Sequence, residues 1–253
     1  MTSTPSGHAV QQYSGGSGRL RARMGVHAFG TDPRGWFAWL AERVVAQGDV
    51  LEVGAGTGKL WAELPHEGAR LTLTDFSPAM CEELRKVPGA EVRQCDATEL
   101  PFGDGTFDVV IANHMLYHLD DPTAALREFA RVLRNGGRLV AAVNGRDHMQ
   151  ELRDLGPAIG RPAMLRGLTM NDFTAETGGE IVGGYFAEVR VERYPCNLVI
   201  PSPEPVLDYL GSLTEEPLTA EEESAVRELV QAKIDADGHF FVRKHTVLIT
   251  ATH

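Results

Sequence analysis

Residues 51–60 read Leu-Glu-Val-Gly-Ala-Gly-Thr-Gly-Lys-Leu, an apolar run that ends in three alternating glycines, Gly54, Gly56 and Gly58. Glycine reaches backbone conformations closed to other residues and puts no Cβ between the chain and a ligand. In α/β sheets such a turn lies in the crevice beyond the carboxyl ends of the strands, where ligands bind. The dinucleotide fingerprint needs glycine at its first, third and sixth places. Here the sixth place is Lys59 and the third glycine comes one residue early, at Gly58, which points away from a nicotinamide cofactor. Glu52 is an acid inside an apolar run. If buried it needs a hydrogen-bonding partner, either a ligand or the loop itself.

Further residues of the same kind follow. Asp75 closes an alternating run, Arg70 to Thr74, and Ser77 precedes Pro78 at what reads as a helix start. Serine before a first-turn proline is a favoured cap. Asp96 and Ala97 follow the run 91–95, and Asn113-His114-Met115-Leu116-Tyr117-His118 follows the run 107–112. His148 stands after the run 138–143. Histidine suits general-base chemistry near neutral pH. His114 is the first candidate for that role, with a purely structural role as the alternative, and His148 is the second.

The elements that position these residues alternate. Strands are expected at 50–53, 70–74, 91–95, 107–112 and 138–143, with helical stretches at 60–64, from Pro78 to about Lys86, and from Pro122 to Leu133. The run 107–112 is almost wholly apolar, as a central strand covered on both faces must be. Strand–helix alternation at this spacing means a parallel sheet wound by helices on both sides. After Asn144 the pattern loosens: 146–180 reads as broken helices, 185–200 as a long strand region, 204–213 and 220–236 as helices, and 240–252 as a last strand.

The ordered set of these segments resembles the class I S-adenosylmethionine (SAM)-dependent methyltransferases, in their small-molecule, UbiE-like type. The match runs over about residues 50–143 and rests on Glu52 with Gly54-x-Gly56-x-Gly58, on 71–77, on 95–102, and on 107–113 with the helix and Gly136-Gly137 that follow. The resemblance implies a doubly wound, mostly parallel seven-stranded sheet of Rossmann-like form. It implies an N-terminal arm and helical lid over 1–47, a SAM-binding domain over 48–253, and a substrate cap over 146–180. It implies SAM as cofactor and S-adenosylhomocysteine as product. Asp75 would hold the ribose hydroxyls, the alternative being a helix cap or surface acid. Asp96 and the Ala97 amide would meet the adenine, unless Asp96 is only a turn residue. Phe76 and Met80 would wall the adenine or serve as core. Gly54, Ala55, Gly56, Gly58, Ser77, Asn113 and His114 would complete the cofactor site, and Glu52 would lie near its methionyl part. Tyr13, Arg23 and His27 would reach it from the lid.

Bulk properties narrow the acceptor. A net charge of −11 over 253 residues leaves no general field to draw a phosphate backbone. A small-molecule acceptor is expected, with no nucleic acid and no membrane as partner, in a monomer or homodimer. The segment after Asn113 lacks the Pro-Pro-aromatic pattern of many RNA and protein methyltransferases, the second reading; a SAM-binding module without activity is a third. Three cysteines, none in a C-x-x-C pair, fit reduced thiols in the cytoplasm. No His and Asp set near the site is spaced as a preformed metal cluster, and His114 with His118 would share a face only if that segment were helical.

Overall fold

The computed structural model describes residues 25–162, 171–213 and 216–253. Tyr13, Arg23, Met164, Leu165 and Met170 lie outside the described residues. The strands, in chain order, are β1 (Asp49–Val53), β2 (Arg70–Asp75), β3 (Ala90–Gln94), β4 (Phe107–Asn113), β5 (Leu133–Asn144), β6 (Ala187–Arg193), β7 (Leu198–Ile200), β8 (Phe240–Val242) and β9 (Thr246–Thr252). Seven of them make one sheet in the order β3-β2-β1-β4-β5-β9-β6. The first five run parallel, and β9 runs antiparallel to both β5 and β6. The parallel part is what the alternation predicts, and the whole is the mostly parallel, Rossmann-like sheet that the resemblance implies.

Position in the sheet follows from side-chain chemistry. Val109 to Ala112 in β4 and Val50 to Val53 in β1 are buried, as central strands covered on both faces require. β6, with the sequence Ala-Glu-Val-Arg-Val-Glu-Arg, has no buried residue and forms an edge. Charges along an edge strand discourage pairing with another chain. The helix Pro122–Val132 packs on β5. It buries Leu126 and Phe129 completely, each a contribution of about 1.5–3 kcal/mol. Asp121 caps it by accepting hydrogen bonds from the Thr123 and Ala124 amides at 2.9 and 3.0 Å.

Several local expectations are corrected. Residues 60–64 are not an α-helix: a 3-10 turn spans Lys59–Ala62. The helix from Pro78 stops at Leu84 rather than near Lys86. β5 starts at Leu133 and takes in Gly136-Gly137, which was expected to lie before it. The stretch 185–200 is two strands, β6 and β7, separated by a segment containing Pro195, which has no amide hydrogen for a ladder. The stretch 240–252 is likewise two strands, β8 and β9.

The two halves of each split go to different places. The contacts divide the chain into two compact units. The sheet unit holds the described parts of 36–146, 170–194 and 246–253. The other holds those of 25–35, 147–169 and 195–245. In the second unit β7 pairs antiparallel with β8. Its core gathers Leu152, Leu198, Ile200, Val206, Leu210, Val226, Val230 and Val242. The long helix Ala220–Asp237 starts with a complete capping box between Thr219 and Glu222 and stops at Gly238 in the left-handed conformation.

Replacing Asp121 by Ala removes two amide bonds from the start of the helix that backs β5. It is expected to cost about 1 kcal/mol, lowering the melting temperature by about 2–4 °C. An unchanged melting curve would show that the cap does not support this helix.

Candidate active site

The three glycines of the turn serve three different purposes. All have positive φ, at 67° for Gly54, 59° for Gly56 and 73° for Gly58. A Cβ on Gly54 would stand 2.8 Å from the Cβ of Met115, and one on Gly58 would stand 2.8 Å from a methyl of Val87. These two glycines let the turn press against the residues after β4 and after the helix Pro78–Leu84. A Cβ on Gly56 would meet nothing within 4 Å, so this glycine faces open space. The Ala55 amide donates to the Thr74 carbonyl at 2.9 Å, which ties the turn to β2.

Asp75 joins the pieces. Its Oδ2 accepts from the Gly56 amide and its Oδ1 from the Ser77 amide, both at 2.9 Å. Burial pushes its carboxyl above the ordinary range, against the pull of those two bonds. Ser77 occupies the cap position before Pro78, but its hydroxyl makes no capping bond. The cap expectation for that side chain does not hold, because the bond that matters runs from its amide to Asp75. Phe76 beside it is 60% exposed, a large aromatic face left open to solvent. Met80 is half-buried on the helix Pro78–Leu84. The Cys95 amide donates to the Asp75 carbonyl at 3.3 Å, which brings Asp96 and Ala97 to the same edge. Ala97 is buried. Asp96 is exposed, and its Oδ1 accepts from the amide and hydroxyl of Thr98 at 2.8 and 2.7 Å.

Glu52 lies in the strand under the turn and is 1% exposed. Its Oε2 accepts from the indole N–H of Trp61 at 2.5 Å. Trp61 sits in the 3-10 turn that follows the glycines. Burial pushes the Glu52 carboxyl up to about 8, partly offset by that bond and reinforced by the nearby Asp75 charge.

The end of β4 is lined by rings. The Trp36 indole N–H donates to Asn113 Oδ1 at 3.1 Å. Its ring centroid lies 4.9 Å from that of His114, 5.4 Å from Trp39 and 5.2 Å from Tyr194. His114 has φ of 57°, a conformation that non-glycine residues seldom adopt and that clusters at functional sites. Its amide is tied to the Ala142 carbonyl of β5 at 3.1 Å. His118, four residues on, is pushed down to about 4 by burial, so its ring is neutral at pH 7. The segment between them is a 3-10 turn, Leu116–His118, and not an α-helix.

The structure thus brings Glu52, the glycine turn, Asp75, Ser77, Asn113 and His114 together at the carboxyl ends of the adjacent strands β1, β2 and β4. His27 and His148 belong to the other unit. His27 lies in the turn Val26–Phe29. His148 Nδ1 accepts from the His245 amide at 3.1 Å, so that nitrogen is held by the backbone. Sequence reasoning missed two tryptophans. An acid in a buried strand demanded a donor, and Trp61 stood nine residues on, within the local turn. Nothing in the local pattern pointed from Trp36 to Asn113.

The buried Glu52 makes a pH prediction. Its ordinary value is 4.5, and in the fold it is about 8. Between those values the folded state holds a proton that the unfolded chain has released. The contribution to stability is therefore full below about 4.5, falls as pH rises toward 8, and is flat above. Glu52→Gln keeps an acceptor for the Trp61 N–H and removes the titration. Urea unfolding from pH 5 to pH 9 should show the variant gaining on the wild type as pH rises. A constant difference across that range would mean that Glu52 is already ionised in the fold.

Comparisons with known proteins agree with this architecture. Residues 51–141 match the model of a methyltransferase domain. The ubiquinone/menaquinone biosynthesis C-methyltransferase UbiE of Desulfotalea psychrophila is 36% identical over 132 residues, covering 49% of this chain and 53% of that protein. The O-methyltransferase cnsE of Penicillium expansum is 39% identical over 112 residues, covering 41% of each. The chain thus spans about half the length of the curated relatives it matches. Among solved structures, the YcgJ protein of Bacillus subtilis has the same fold, with a TM-score of 0.59 at 17% identity over 85% of this chain and 97% of that one. With the turn, the acid after β2 and the sheet order all in place, residues 51–141 are similar to a methyltransferase domain, and the sheet has the fold of the YcgJ structure.

Proposed function

We propose that the chain is a SAM-dependent methyltransferase acting on a small-molecule acceptor. The observation that carries this is Asp75: a half-buried carboxylate at the end of β2, with one oxygen on the Gly56 amide and the other on the Ser77 amide. That leaves lone pairs on the acid beside Gly56, the glycine of this turn that faces open space. The residues fit the cofactor. Asp75 receives the ribose hydroxyls as charge-assisted bonds. The exposed Phe76 ring, with Met80, covers an adenine face, and Asp96 with the Ala97 amide reads its edge. The glycine turn above Glu52 and the end of β4 take the remainder.

SAM, when bound, supplies a methyl group on a sulfonium, which leaves as a neutral thioether. The protein's part is to align the acceptor and to exclude water. The rings of Trp36 and Tyr117 flank His114. We assign His114 the proton of an acceptor whose nucleophile carries one. The two relatives are named for carbon and oxygen methylation. A small organic acceptor is common to those names and agrees with the net charge of −11.

Among the described residues no helix is long and apolar enough to cross a membrane. Cys81, Cys95 and Cys196 are all free thiols. We propose a cytoplasmic location, with which three free thiols agree.

Calorimetric titration with SAM, S-adenosylhomocysteine and NADH tests the reading. Micromolar binding of both adenosyl ligands and none of NADH is expected. Binding of NADH alone, or of none of the three, would overturn it. Asp75→Asn should weaken S-adenosylhomocysteine by about 1.5–3 kcal/mol, the scale of a lost bond to a charged group. Wild-type affinity in that variant would remove Asp75 from the ribose.

A further inference from the structure

The pairing registers set Asp75 and Asn113 on opposite sides of the glycine turn. Along β1 and β2, Val53 stands level with Thr74, so the next pair is Gly54 with Asp75. Along β1 and β4, Glu52 stands level with Ile111, which carries Gly54 to the level of Asn113. With the ribose at Asp75, the far side of Gly54 is where the rest of the cofactor runs: its sulfur and its amino acid end.

Asn113 at that point is half-used. Its Oδ1 is taken by the Trp36 indole, a group that can only donate, and this fixes which end of the amide is oxygen. Its Nδ2 has no partner among the described residues. Trp36 itself is held in place. It stacks on Trp39, which is fully buried, and meets the edge of Tyr194, which is 1% exposed. The donor end of the Asn113 amide is therefore set by a rigid aromatic stack on the helix Gly35–Ala41, 77 residues away in sequence.

We propose that Trp36 is a positioning residue for the cofactor: it orients the Asn113 amide so that Nδ2 donates to the carboxylate at the methionyl end. The inference rests on the cofactor reading above. It assigns one donor to one charged group, with the tryptophan acting through the asparagine.

The full chain is titrated with S-adenosylhomocysteine and with methylthioadenosine, which keeps the adenosine and the sulfur but lacks the amino acid. Asn113→Ala should weaken the first ligand about tenfold or more, as for a lost bond to a charged group, and leave the second within about twofold. Trp36→Phe keeps a ring and loses the N–H, and should give a smaller loss with the same ligand selectivity. The double variant should be no weaker than Asn113→Ala alone, because the two act in series. Equal losses for both ligands, additive losses, or unchanged S-adenosylhomocysteine affinity in Asn113→Ala would each overturn the proposal. If Asn113→Ala does not fold, the ligand selectivity of Trp36→Phe decides alone. Failure of the wild type to bind either ligand would instead fell the cofactor reading, and the proposal with it.

Discussion

Asp75 is the constraint on which the site depends. Its two oxygens accept from two backbone amides on different segments, Gly56 in the turn after β1 and Ser77 ahead of the next helix. Removing that carboxylate from water raises its pKa, so the protein holds the acid in place at some cost to its charged form. The bonds that hold it are directional, and each oxygen keeps a further lone pair. A helix cap would satisfy the same oxygens with one segment. Here the carboxylate instead joins two turns at the carboxyl end of a parallel sheet.

Around this acid the chain separates packing from access. Gly54 and Gly58 bring the turn within contact of Met115 and Val87, while a Cβ on Gly56 would meet nothing. Beneath them Glu52 is sealed by Trp61 and is largely protonated at neutral pH. A neutral acid donates and accepts hydrogen bonds without setting a second full negative charge beside Asp75. At the other end of the sheet the charges do different work. Arg134 reaches both Asp49 and Asp108, and the Asp49 amide donates to Asp108 at 2.8 Å. Those groups are near the surface, where ion pairs contribute little each.

An aromatic cluster built on the helix Gly35–Ala41 packs beside the end of β4. Trp36, Trp39 and Tyr194 lie within about 5–5.5 Å of one another by centroid, a spacing in which edge and offset contacts add to simple burial. Arg43 lies over the Trp39 ring at 3.8 Å and pairs with Glu192 on β6. The helix is thereby fastened to the sheet at its far edge while its first turn touches the end of β4. His114 is held in an unfavoured backbone conformation between these rings and the Ala142 carbonyl. Strain of that kind persists only where the surroundings over-determine it.

The sequence by itself determined the five parallel strands, the glycine turn and the acid after β2, because each is written in contiguous residues. Period-two alternation, an apolar central run and glycine spacing are local properties, and a parallel sheet with short connections follows from them. Only the tertiary structure decided which partners close the site. Trp36 meets Asn113 across 77 residues, and no local pattern encodes that meeting. The continuous-looking stretches 185–200 and 240–252 each split between two sheets in two units, because alternation tells which face a side chain takes but not which strand lies beside it. Whether the Glu52 carboxyl would face a ligand or an indole depended on how tightly residues 59–62 coil. An α-helix expected there became a 3-10 turn that carries Trp61 to the acid.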